Sequence, residues 1–311
     1  MIKKNIYEHN LKEHLLAASK DRLYRFLMCG ETVRGFILHA TRMISEMRAN
    51  HELGVLETLV LGHAYMAAGL VSANLKGTDR IKILTDCSGP IKGFSVESNA
   101  YNEVRGYLKN VPIPVDKPLD DFNLSSFFGA GILTVTRYIE DNKNPFTGTV
   151  ILKYGNIAQD MAYYYANSEQ IPTSFNLSIQ FDNHGNVTGA GGMFLQAMPG
   201  AGRDIISSLE RIVNNFPSIG ISLSEGHSPK ELVENTFKEY SPDFIGDDRV
   251  EFMCHCTKER MSDYLAVLPR EELKDITDKD EFPLEINCHN CNSKYYFEKN
   301  EIEALLQRNK N

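Results

Sequence analysis

Four of the six cysteines come in two close pairs, Cys254-His-Cys256 and Cys288-His-Asn-Cys291. No other feature constrains the fold of the last part of the chain as strongly. The pairs are separated by 31 residues, a spacing that can bring four sulfurs to one point. Four thiolates converging on one ion match the tetrahedral preference of zinc. A segment the size of 249–311 buries little apolar core alone, whereas a structural zinc can supply about 10–16 kcal/mol. A four-cysteine iron–sulfur cluster is the competing reading.

The first pair has a one-residue gap, which forces a tight chelate. A disulfide closing so small a ring would be strained, and strained, exposed disulfides are the labile or regulatory ones. Zinc also keeps sulfurs in the thiolate form that oxidants attack, and Lys258 and Arg260 add positive charge nearby. Two readings stay open: a redox sensor and a static zinc anchor. His255 and His289 lie between the cysteines, either as spacers or as substitutes for a sulfur ligand. Cys29, in a helix-like stretch, and Cys87, at a strand end, are unpaired. The expectation for both is a small buried hydrophobe.

The rest of the chain reads as an α+β protein with a large N-terminal unit. At 311 residues the size suggests roughly two units. The first 75 residues read as mostly helical, with a broad apolar face in 53–75 made by Leu53, Val55, Leu56, Leu59, Leu61, Tyr65, Met66 and Leu70. The stretch 55–75 reads as a buried helix rather than a membrane span. Strands are expected over 81–87, 93–98, 131–139, 147–153, 173–182 and 187–198, with a helix over 156–168 and a hairpin turn at 183–186. The run Gly-Ala-Gly-Gly-Met at 189–193 has no following Lys-Ser/Thr and opens no helix, so it is discounted as a phosphate loop. Pro199-Gly200-Ala201-Gly202 marks a boundary. Beyond it, 203–248 reads as short helices (204–214, 229–240) whose narrow apolar faces make them marginal alone. The division expected is a core at 1–200, an acidic helical linker at 201–248 and a small zinc-binding domain at 249–311. The linker is either an ordinary tether or a segment that docks on the large domain in one state and detaches in another.

Charge narrows the function classes. The net charge is −8, and residues 201–248 hold 4 basic against 9 acidic side chains. No segment has the basic excess of a phosphate-binding surface, so nucleic acid is not an expected partner. A zinc-ribbon assembly or nucleic-acid-binding module is kept as the alternative. No Ser-His-Asp arrangement, HExxH motif or dinucleotide fingerprint stands out, and a CxxC opening a helix in a βαβ context is lacking; a non-enzyme is expected. Met1-Ile-Lys-Lys-Asn leads into a charged segment with no apolar signal region, so a cytoplasmic protein without a membrane partner is expected.

These residues carry a family resemblance. VEFMCHCTKER (250–260), CHNCNSKYYF (288–297) and AGGMFLQAMP (190–199) resemble the redox-switched bacterial heat-shock chaperones of the 33 kDa chaperonin (heat-shock protein 33) family. The stretches 62–97 and 168–179 are similar to the family as well. The resemblance implies one Zn2+ per chain in the reduced form, held by Cys254, Cys256, Cys288 and Cys291. It implies that oxidation releases zinc and forms the disulfides Cys254–Cys256 and Cys288–Cys291. It further implies a holdase for unfolding client proteins under oxidative stress, inactive when reduced, and a homodimer when oxidised. Cys29 and Cys87 match no signature of the family.

Overall fold

The structure, a computed structural model, describes all residues except 8–9, 11–12, 14–19, 116–122 and 309–311. Two sheets enclose one long helix. Sheet A has the order β10-β1-β2-β9-β8, from β1 (Arg22–Met28), β2 (Val33–His39), β8 (Thr173–Phe181), β9 (Val187–Ala197) and β10 (Asp243–Arg249). Sheet B has the order β11-β5-β4-β3-β6-β7, from β3 (Arg80–Cys87), β4 (Gly93–Asn99), β5 (Glu103–Leu108), β6 (Gly131–Tyr138), β7 (Phe146–Ile151) and β11 (Glu251–Phe252). Helix α1 (Thr41–His51) leads into α2 (Val55–Ser72), which packs against strands of both sheets.

Helix α2 is apolar all round because protein surrounds it. By length and composition it could cross a membrane, yet nearly all of it lies inside the fold. Phe36, Leu38 and Phe194 reach it from sheet A, and Ile81, Ile83, Phe94 and Val96 belong to the same core on the sheet B side. Helix α1 starts where the buried Asp21 carboxylate accepts from the backbone N–H of Arg42 (3.2 Å) and Met43 (2.6 Å). A carboxylate at this end satisfies donors that the helix cannot.

The mostly helical expectation for residues 1–75 is corrected over 22–39, which forms the β1–β2 hairpin. The part of that expectation on 8–9, 11–12 and 14–19 lies outside the described residues. Sheet A is buried on both faces, so the hairpin lacks the apolar–polar alternation that marks a strand. Leu23, Phe36 and Leu38 face the α2 core, while Phe26, Met28, Val33 and Ile37 face the other way. The bulge in the β1–β10 pairing belongs to β10, where Ile245 is the extra residue opposite Arg25 and Phe26. Cys29 accordingly sits in the turn after β1, with a left-handed φ of 57°, and not in a helix. The helix expected over 156–168 is α-helical over Ile157–Tyr164 and continues as a π turn over Tyr165–Glu169.

The outer face of sheet A is covered by the segment after residue 202. Between short helix α3 (Ser125–Phe128) and this cover lies α4 (Ile157–Tyr164); the cover itself is α5 (Arg203–Asn214), α6 (Ile219–Ser224) and α7 (Pro229–Thr236). Leu209, Val213, Phe216, Ile219, Leu223, Val233 and Phe237 pack on Phe26, Met28, Ile37, Met193 and Leu195. The Gly-rich run in β9 makes this approach possible. A Cβ on Gly189 would meet the carbonyl oxygen of Gly220 at 2.0 Å, so backbone lies against backbone there. Helix α7 has its own start signal, a Ser228/Glu231 capping box with Pro229 in the first turn.

The helical expectation for 203–248 fails at its end, where 243–249 becomes β10. Its composition, three aspartates and a glycine among seven residues, disfavours a strand. The β1 edge overrides that preference through Arg22–Asp247 and Arg25–Asp248 ion pairs and contact of Phe244 with the Phe26 ring at 5.5 Å. From β10 the chain runs directly into β11, which pairs in parallel with β5. It continues into the first cysteine pair, α8 (Lys258–Ala266), α9 (Arg270–Lys279), the hairpin β12 (Leu284–Asn287) and β13 (Lys294–Phe297), and α10 (Lys299–Arg308).

The buried helix makes one pH-dependent demand. Burial pushes the His63 imidazole down to about 4 from 6.5, and its Nε2 is shut from solvent without a hydrogen-bond partner. Below pH 6.5 the unfolded chain takes up a proton that the folded chain refuses until about pH 4. Stability contributed by neutral His63 is therefore lost as pH falls through that window. Acidification from pH 7 to pH 5 should cost roughly 2 kcal/mol through this residue. Urea unfolding at both values should show His63→Leu losing correspondingly less stability on acidification than wild type; equal losses would refute the assignment.

Candidate metal centre

The two cysteine pairs meet at the edge of β5. The first pair follows β11, whose register is continued by Met253 N–H donating to Val104 O (3.0 Å). After it, Thr257 caps α8 by accepting from Arg260 N–H. The second pair occupies the β12–β13 turn. Cys291 N–H (3.2 Å) and Asn292 N–H (2.7 Å) both donate to Cys288 O, and Cys288 N–H donates to Ser293 O (2.9 Å). Asn292 takes the left-handed φ of 53° that lets the turn close. These local bonds aim both sulfurs of the pair inward.

All four Sγ atoms lie within 4.8 Å of one another, and all four residues are buried. The Cys254–Cys288 sulfurs are 3.8 Å apart and the Cys256–Cys291 sulfurs 3.3 Å. A bonded disulfide would be near 2.05 Å. A tetrahedron with metal–sulfur bonds of about 2.3 Å has sulfurs about 3.8 Å apart. The space fits one ion and is too small for a cluster of several irons. Neither histidine points into it. His255 Nε2 is 2.8 Å from Glu103 Oε2, and the His289 ring stands edge-on to Tyr107 at 5.5 Å. Among the described residues this is the group of metal-ligating side chains that converges.

Electrostatics also call for a cation. Thiols of Cys288 and Cys291, then the Cys256 backbone N–H and Arg105, draw Cys254 far below the ordinary thiol range. Donating to that anion, together with burial, pushes Cys288 up to about 12 and Cys291 higher still. By themselves the sulfurs favour one thiolate and resist the rest, because like charges this close oppose further ionisation. A divalent ion at the centre would reverse that preference and hold all four as thiolates.

Sequence reasoning missed the residues that surround the sulfurs. Arg105 Nη1 lies 3.8 Å from Cys254 Sγ. Tyr295 donates its hydroxyl to Cys256 O at 2.9 Å and lies 3.2 Å from the Cys256 sulfur. The Asn50 amide donates to Cys291 O (2.9 Å) and Ile2 O (2.9 Å), and Asn50 O accepts from Asn292 (2.9 Å). Gly106 N–H donates to Asn290 O (3.1 Å). An open cleft of about 470 Å³, lined by Met253, Cys254, His255, Cys256, Thr257 and Arg260, leads to the first pair. Asn50 and Arg105 stand more than 140 positions from the cysteines, and no local motif marks them. Cys29 and Cys87 lie apart from this group. Burial raises both thiols, the opposite of an activated nucleophile.

Comparison with known proteins agrees along the chain. The family model described as Hsp33 protein matches residues 21–298. The 33 kDa chaperonin of Desulforamulus reducens is 32% identical over 93% of this chain and 98% of its own length. That of Ruminiclostridium cellulolyticum is 33% identical over 93% and 99%. The crystal structure of the 33 kDa chaperonin from Thermotoga maritima superimposes with a TM-score of 0.84 at 31% identity, covering 93% of this chain and 99% of that one.

X-ray absorption on the reduced, metal-loaded protein should show four sulfur neighbours near about 2.3 Å. A nitrogen-rich shell would return His255 or His289 to the ligand set.

Proposed function

The chain belongs to the Hsp33 family, and from that premise we propose that it is a cytoplasmic redox-regulated holdase with one Zn2+ per chain in the reduced form. Cys254, Cys256, Cys288 and Cys291 are its ligands. The convergence of four buried sulfurs beside the β11–β5 edge of sheet B supports this reading. Bound zinc would keep the sulfurs anionic and supply the stabilisation that the segment 249–311 lacks. The three working parts are the client-binding core at 1–200, the linker at 201–248 and the switch at 249–311.

Activation is an oxidation of this chain's own sulfurs. Cys254 and Cys256 form one S–S bond, and Cys288 and Cys291 the other. As each bond forms, its two thiolates give up two electrons to hydrogen peroxide or hypochlorous acid, whose O–O or O–Cl bond breaks and which takes up protons to leave as water, or as water and chloride. Neutral disulfide sulfurs no longer hold a divalent cation. The tail then loosens, β11 and β10 lose their continuation, and α5–α7 can leave the outer face of sheet A. Phe26, Met28, Ile37, Met193 and Leu195 would then be open to unfolding clients. Oxidised chains are proposed to pair as homodimers.

Replacing Cys254 or Cys288 with Ser removes one of four thiolates and should lower zinc affinity at least tenfold, about 1.4 kcal/mol or more. The reduced variants should already suppress light scattering by an unfolding client, which reduced wild type should not. Peptide mapping of the oxidised wild-type chain should find the 254–256 and 288–291 links. No protection by variants with confirmed zinc loss would show that zinc loss alone does not open the chaperone. A dominant bridge to Cys29 or Cys87 would show a differently wired switch.

A further inference from the structure

Strand β5 meets the cysteine loops along its length: Glu103 holds His255, Gly106 holds Asn290 and Tyr107 packs on His289. Arg105 is the member of this row that reaches a sulfur. Its guanidinium is 3.8 Å from Cys254 Sγ and is oriented by Glu97, whose Oε2 accepts from Nη2 at 2.8 Å and Nε at 3.3 Å. Among the described residues it is the cationic side chain within hydrogen-bonding distance of the cluster, and it belongs to the large domain. Both it and Glu97 are mostly covered, with side-chain exposures of 28% and 23%, so bulk water screens the contact only in part.

Resting on the proposed function, we infer that Arg105 is a positioning residue through which the large domain reads the charge of the sulfur site. Four thiolates around one divalent cation carry a net charge of about −2, and two disulfides carry none. While the site is anionic, Arg105 is attracted to it as well as to Glu97, and the cysteine loops stay docked on β5. Once the sulfurs are oxidised, Arg105 keeps Glu97 alone, and the Cys254 sulfur no longer attracts the guanidinium. The same contact acts in reverse. Docking and metal retention share one free energy, so weakening either weakens the other.

The experiment compares reduced full-length wild type, Arg105→Gln and Arg105→Lys in two measurements. Zinc retention is read by competition with a chromophoric chelator. Docking is read by hydrogen exchange of the Gly106 amide, with β3–β4 amides as internal controls. Arg105→Gln should hold zinc roughly tenfold less tightly, as removal of a group that supports metal ligands typically does. Its Gly106 amide should exchange faster while the β3–β4 amides stay unchanged. Arg105→Lys, which keeps the charge, should restore most of both. Wild-type zinc affinity and Gly106 protection in Arg105→Gln would overturn the inference. So would equal losses in the Gln and Lys variants, which would indicate packing rather than charge. A wild-type chain that binds no zinc would instead sink the proposed function itself, and this inference with it.

Discussion

Four cysteine sulfurs held within 4.8 Å of one another cannot all be anionic unless a cation lies among them, and this repulsion is the constraint on which the rest of the structure turns. Under the proposed function it would tie the folding of the C-terminal segment to the chemical state of its sulfurs. Around the sulfurs, small helices and a two-stranded hairpin add Met261, Leu265, Leu273, Phe297, Ile302 and Leu305 to the core, and a metal bound at the centre would add the remaining stabilisation. A fold stabilised at one chemically reactive point can be loosened there by chemistry, without heat or denaturant.

The consequence travels because of where the chain runs. Residues 243–256 form β10 on the edge of sheet A, then β11 on the edge of sheet B, then the first cysteine pair. One continuous segment therefore closes both sheets and ends at the sulfurs. Upstream of it, α5–α7 cover a face of sheet A that is as apolar as a protein core. Their own length and narrow apolar stripes would leave them marginal in isolation. Residues 243–256 thus connect the cover at one end with the sulfurs at the other.

Much of this was legible in the sequence, for identifiable reasons. The spacing of Cys254, Cys256, Cys288 and Cys291 is local information, and the structure brings together all four sulfurs it singled out. In sheet B the strands expected over 81–87, 93–98, 131–139 and 147–153 hold within a few residues as β3, β4, β6 and β7, whereas β5 and the two-residue β11, against which the cysteine loops lie, are not among the expected strands. The β1–β2 hairpin reads as helix in the sequence because both faces of these strands are apolar, which removes the alternation that marks a strand. Strand β10 was missed because Arg22 and Arg25, more than 200 residues away, decide its conformation. Asn50 and Arg105 could not be found at all. Their importance comes from contacts across the fold, and their local sequence resembles any helix end or strand.

The central claim is that the state of the sulfurs decides whether the helices over sheet A stay in place. Hydrogen exchange across 203–240, measured on the reduced zinc-bound chain and on the chain oxidised by peroxide with zinc release recorded in parallel, tests it most directly. The account requires α5–α7 amides to be protected before oxidation and to exchange rapidly afterwards, while β2 and β9 remain protected. Unchanged protection of α5–α7 in a fully oxidised, zinc-free chain would contradict it.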